Sequence, residues 1–201
     1  MAEATLYERR VDGEWKLLAE VARLNPGVVE VVARRRLADG DVFEVRLHQT
    51  AGIVGWQGAA AVLERSHRVL FRFPRFFPSV PIEATLAPPV FHPNVDPING
   101  FVCLWTRTSP GDTIMEALRR LQRIVAWAAV NYSAEHVMQP EAARWGQEHP
   151  DHGLEFTPLV ESAEFKRQRE YAERERVRKR LDPIRSAASS PPPGREGREQ
   201  K

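Results

Sequence analysis

The sequence predicts an α+β domain in which a helix leads into an antiparallel meander of three or four strands, with further helices after it. Three observations predict it: a helical apolar stripe over residues 15–24, period-two alternation over 42–47 and 67–73, and a capped, striped segment that begins at Thr113.

Each element has its own local signal. Leu17, Leu18, Val21, Ala22 and Leu24 share helical spacing, and Asn25-Pro26-Gly27 supplies the stop. Residues 28–32 are rich in β-branched valine. After a turn at Ala38-Asp39-Gly40-Asp41, Phe43, Val45 and Leu47 fall on one face of a strand. Val69, Phe71 and Phe73 repeat that pattern. Between Pro74 and Gly100, prolines at 74, 78, 81, 88, 89, 93 and 97 forbid a helix and leave edge strand, turn and extended loop. A capping box of Thr113 and Glu116 then opens a helix whose stripe is Ile114, Leu118, Leu121 and Val125. A shorter helix is expected over Gln139–Gln147, with Pro140 in its first turn.

Past Pro158 the texture turns polar. Residues 161–181 read as a charged helix, with Glu170 and Arg174, and Glu175 and Lys179, four apart, and with a thin stripe of Phe165, Tyr171, Val177 and Leu181. Residues 182–201 are rich in Ser, Pro, Gly and Arg, and disorder is expected there. The organisation is therefore a core domain over 1–160, a charged helix over 161–181 and a tail over 182–201.

Composition narrows the function classes. Of 201 residues, 42% are hydrophobic and 28% charged, an ordinary balance for a globular chain. One cysteine excludes a disulfide framework and multi-cysteine zinc sites. No apolar run reaches the ~18 residues of a membrane span, and no secretory leader is evident, so a cytoplasmic location is expected. The net charge of +2 divides into +4 over 161–201 and −2 over 1–160. Interspersed glutamates make the basic end a solvated helix rather than a nucleic-acid arm. Of the 29 basic residues 25 are Arg, and no lysine occurs between Lys16 and Lys166. No glycine loop of the phosphate-cradling kind is present, and no cofactor is expected.

The chemistry centres on Cys103, in Gly100-Phe101-Val102-Cys103-Leu104-Trp105. Taken alone, such a cysteine reads as an inert core residue. Upstream, however, stand Phe91-His92-Pro93-Asn94-Val95 and Phe73-Pro74-Arg75-Phe76-Phe77-Pro78, and downstream Ser109-Pro110 leads into a helix. In this order the motifs resemble the core of the ubiquitin-conjugating enzyme family over roughly residues 15–150.

The resemblance implies a ubiquitin-conjugating-enzyme-like fold: an N-terminal helix, a four-stranded antiparallel meander, an active-site loop and C-terminal helices. It also implies that Cys103 accepts the C-terminal glycine of a ubiquitin-like modifier from an activating enzyme and passes it from a thioester to an amine of a target protein. Thioester exchange is nearly isoenergetic, so orientation and oxyanion stabilisation carry the catalysis. Asn94 matches the family asparagine, which either donates to the oxyanion, worth about 100- to 1,000-fold in rate, or braces the loop. His92 matches a histidine that is mainly structural, and Asp112 lies near an acidic position that can orient the incoming amine. Without the family, Asp112 reads as a helix N-terminal charge. The lysine-free core then has two readings, codon bias and protection against self-modification.

There are departures from the family pattern. Asn94 and Cys103 are nine positions apart, one more than in common members, the loop after Cys103 is shorter and lacks a tryptophan before Ser109, and Ser79 replaces an aromatic ligase contact. Transfer without a RING-type ligase is expected, and the Arg-heavy divergence resembles bacterial relatives of antiviral defence. The rivals are a partner-binding domain of the same fold and a cysteine hydrolase pairing Cys103 with His136, His149 or His152. A metal site on His149, His152 and Cys103 lacks a fourth ligand.

Overall fold

The computed structural model describes residues 5–163 together with Lys166, Arg167, Glu170 and Arg174. The chain divides into two compact units, Met1–Val160 and Glu161–Lys201. The first contains helix α1 (Leu6–Leu24), strands β1 (Val29–Leu37), β2 (Gly40–Leu47), β3 (Gly52–Gln57), β4 (Ala60–Glu64), β5 (His67–Pro74), β6 (Glu83–Ala87) and β7 (Phe101–Val102), and helices α2 (Ile114–Val125) and α3 (Pro140–Glu148). In the second, Ala163, Lys166, Arg167, Glu170 and Arg174 have helical backbone. The rest of the helix expected over 161–181, and the whole tail 182–201, lie outside the described residues.

The meander is present as an antiparallel sheet of order β1-β2-β5-β6-β7. Its β2–β5 register sets Phe43 opposite Phe71 and Val45 opposite Val69, so the two expected apolar faces coincide. All four side chains are fully buried, each contributing about 1.5–3 kcal/mol through burial alone. Trp15 of α1 meets Phe43 edge-on at 4.9 Å between ring centroids, which seats the helix on this face.

Helix α1 begins nine residues before the expected stripe, at Leu6. Its inner face is Val11, Glu14, Leu18 and Val21, and the carboxylate at position 14 interrupts the apolar pattern that would have disclosed the first turns. Burial pushes the Glu14 carboxyl pKa up. One oxygen accepts the Ile114 N–H at 2.8 Å, satisfying an orphan donor of the first turn of α2. The complete capping box is at Thr5 and Glu8. On α2 only half of the expected box forms: Thr113 accepts from the Glu116 N–H at 3.4 Å, while the Glu116 carboxylate takes Arg120 at 3.1 Å.

Two features of the strands differ from expectation. The proline-free window between Pro81 and Pro88 holds β6 inside the sheet, paired on both sides, rather than at an edge. Between β2 and β5 the chain also inserts a hairpin, β3–β4, which pairs only with itself. Every residue of β4 is exposed, and the Gly- and Ala-rich sequence there carries no alternating face that would announce a strand. Many arginines of the sheet are engaged with acids: Arg68 and Arg35 hold Glu44, and Arg72 bridges Asp39 and Glu83. Among the described residues no helix is long and apolar enough to cross a membrane.

Candidate active site

Cys103 directly follows β7 and is half-buried. Its approach depends on Gly100, whose φ of 74° belongs to the left-handed region and whose missing Cβ would lie 2.0 Å from the Leu86 carbonyl oxygen. That glycine lets its own carbonyl accept the Leu86 N–H at 2.9 Å, drawing the segment onto the sheet. Val102 bridges to Val95, and the Cys103 N–H donates to the Asn94 carbonyl at 2.9 Å. The backbone of the asparagine motif therefore runs beside the cysteine. The extra length between them closes on itself, because the Asp96 carboxylate accepts the N–H groups of Ile98 and Asn99 at 2.8 and 3.3 Å.

His92 is fully buried. Its Nδ1 accepts the Asn94 N–H at 3.1 Å, and its ring lies 4.7 Å from that of Trp127. Burial drives its pKa from 6.5 down to about 3, against a smaller opposing pull from the Ala129 backbone. The ring is thus neutral at ordinary pH, as a scaffold requires. Trp127 supports the same loop: although its φ is +57°, unusual for a large side chain, its indole N–H donates to the Phe91 carbonyl at 3.0 Å.

Asn94 is also buried, and its amide is fully occupied. Nδ2 donates to the carbonyls of Asn131 at 2.7 Å and His136 at 3.0 Å, while Oδ1 accepts the Asn131 N–H at 2.8 Å. Neither hydrogen is left for an oxyanion in this arrangement. Of the two roles the resemblance offered, the bracing one has these bonds behind it.

The loop so braced carries a residue that the transferase reading of the sequence did not include. His136 closes the 3₁₀ turn Ala134–His136, and its Nδ1 lies 3.0 Å from Cys103 Sγ. Burial raises the Cys103 thiol pKa, with a backbone bond from Trp105 opposing in part. Such a thiol holds its proton, and a neutral imidazole at that distance can accept it. Nothing local distinguishes His136 from His149 and His152 in the sequence. The two latter lie among aromatic rings instead, His149 stacked on Trp145 at 4.7 Å and His152 at 4.7 Å from Trp127. Among the described residues no group of three or more His, Cys, Asp or Glu side chains could hold a metal ion.

Asp112 is buried, immediately before the Thr113 cap of α2, and its Oδ2 accepts the Ser109 N–H at 2.7 Å. That bond ties the loop between Cys103 and α2. Arg107, the nearest cation in sequence, is exposed. Trp105 donates its indole N–H to the Ile82 carbonyl at 2.7 Å and lies under Arg120, 4.9 Å from ring centroid to guanidinium carbon.

No family model matches the chain, and no curated protein matches it. Solved structures do. A provisionally assigned ubiquitin conjugating enzyme from Plasmodium yoelii superposes with a TM-score of 0.50 at 16% identity, covering 74% of this chain and 88% of that one. Another, from Trypanosoma cruzi, gives 0.49 at 16% identity, covering 75% and 95%. The N-terminal helix, the antiparallel sheet and the helices after it agree with the Plasmodium likeness, and the chain has the ubiquitin-conjugating-enzyme-like fold.

Proposed function

We propose that this chain is a ubiquitin-conjugating-type acyltransferase. Cys103 accepts the C-terminal glycine of a ubiquitin-like modifier from an activating enzyme and passes it to a lysine amine on a target protein, without a RING-type ligase. The observation that carries the reading is the half-buried sole thiol, set at the end of β7 with its N–H on the Asn94 carbonyl. A thiol so held can be reached by a flexible C-terminus while its backbone stays still.

In this reading Asn94 braces the loop, His92 supports Asn94, and Asp112 orders the loop on the far side of the sulfur. The chemistry is confined to residues 1–160. ATP is consumed by the activating enzyme, and the carrier needs no cofactor. The Arg-heavy composition and the loop departures resemble those of bacterial relatives of antiviral defence, the setting this reading assigns to the chain.

The test is an incubation with activating enzyme, ATP and modifier. A reducible adduct is expected, resistant to reductant in Cys103→Ser and missing in Cys103→Ala. A wild-type chain that forms no adduct through Cys103 overturns the proposal. The 3.0 Å contact to His136 favours a second reading, a cysteine hydrolase that cleaves a modifier from its target. That reading predicts consumption of a modifier–amine conjugate by the chain alone.

A further inference from the structure

Burial leaves the Cys103 thiol protonated at neutral pH, so a sulfur nucleophile needs a proton acceptor beside it. The family histidine cannot serve. His92 is fully buried, its Nδ1 is occupied by the Asn94 N–H, and its ring stays neutral until very low pH. We infer that His136 is the base of this site, its Nδ1 taking the Cys103 proton as the sulfur attacks and later taking a proton from the acceptor amine.

The position of the ring is built. His136's own carbonyl accepts from Asn94 Nδ2 at 3.0 Å, and the Asn131 carbonyl and N–H are bound to the same amide at 2.7 and 2.8 Å. Two residues further on, the Met138 N–H donates to the Pro93 carbonyl at 2.7 Å. The turn is thereby fastened on both sides of His136 to the segment whose Asn94 carbonyl holds the Cys103 N–H. With Nδ1 on the sulfur, the ring proton sits on Nε2, which faces the Glu135 carboxylate at 4.0 Å. The His136 side chain is 20% exposed, so an incoming amine can reach it.

The steps balance without an added reactant. In charging, the Cys103 sulfur bonds to the thioester carbonyl carbon and the bond from that carbon to the donor's sulfur breaks. The Cys103 proton passes through His136 to the leaving thiolate. In discharge the amine nitrogen bonds to the same carbon and the bond to Cys103 breaks. The amine proton passes through His136 to the Cys103 thiolate.

The identity of the acyl donor rests on the transferase reading, whereas the base can be tested without it. Cys103 is the single thiol of the chain, so iodoacetamide alkylation of the full chain, followed by intact mass from pH 5 to 9, reads this sulfur alone. At pH 7 the rate is expected to fall by about tenfold or more in both His136→Ala and His136→Gln, with melting temperatures close to wild type. Free imidazole should restore part of the rate in His136→Ala and leave wild type unchanged. Glutamine retains polar bulk without basicity, and it decides the question alone if the alanine variant fails to fold. Alkylation of the folded variants within twofold of wild type overturns the inference. A His136-dependent rate in a wild-type chain that forms no adduct with modifier, activating enzyme and ATP supports the base and overturns the transferase reading.

Discussion

Two loops meet at Cys103, residues 92–96 and residues 131–139, and each contains a histidine. In the first, His92 and Asn94 are buried and bonded to neighbouring backbone. In the second, Tyr132, Ser133, Ala134 and Glu135 are exposed, and His136 turns one nitrogen to the sulfur. The difference is one of dielectric environment. Full burial makes an imidazole cheap to keep neutral and costly to charge, which suits a strut; partial exposure beside the sulfur leaves a ring within reach of an incoming group, which suits a base. The motif histidine is on this account the stability element, and reactivity passes to a histidine outside the motif.

Perturbing the loops should separate stability from reactivity, and the largest effect is expected at His92. Its folded pKa of about 3 lies below the unfolded value of 6.5, so the unfolded chain binds a proton that the folded chain refuses. The stabilisation from this group is complete above pH 6.5 and is lost as pH falls from there toward 3. The slope from this one group reaches about 1.4 kcal/mol per pH unit. Urea unfolding of His92→Gln across that window should show a correspondingly flatter dependence than wild type. An unchanged slope would mean that the ring charges without opening the fold. His67, whose pKa burial also lowers, contributes with the same sign and remains in both proteins.

Asn94→Ala comes next. It deletes three bonds and leaves two half-buried carbonyls and an N–H without these partners, so a loss of about 2–4 kcal/mol in unfolding free energy is expected. Because the brace holds the His136 turn, Cys103 alkylation should slow as well. Stability loss with an unaltered alkylation rate would break the link between the loops. The smallest effect belongs to Asn131→Ala. It removes only the side-chain acceptor of the Ser133 N–H and hydroxyl, at 3.0 and 2.6 Å, and leaves both Asn131 backbone bonds to Asn94. A cost of about 0.5–1 kcal/mol by urea unfolding is expected. A larger cost would show the outer loop to be as stability-critical as the inner one.

Local signals account for much of what could be read in advance. The stripe of α2, the alternation in β2 and β5, and Pro140 at the start of α3 each depend on neighbours within a few positions, and each element formed. The motif order around Cys103 disclosed the fold in the same way. The hairpin β3–β4 escaped because β4 is exposed throughout and β3 buries only the adjacent Gly52 and Ile53, not an alternating face, and the first turns of α1 escaped because Glu14 occupies a core position there.

Residue chemistry and spacing in the chain were enough to nominate a candidate nucleophile and the two motif residues beside it, since a lone thiol and a His-Pro-Asn run are visible without coordinates. They could not choose among three downstream histidines, nor say whether the Asn94 amide was free or occupied. Those answers depend on contacts between segments far apart in sequence, 33 residues from Cys103 to His136 and 37 and 42 from Asn94 to its partners. Such contacts are set by burial and by competition for hydrogen-bond partners, neither of which leaves a periodic trace along the chain.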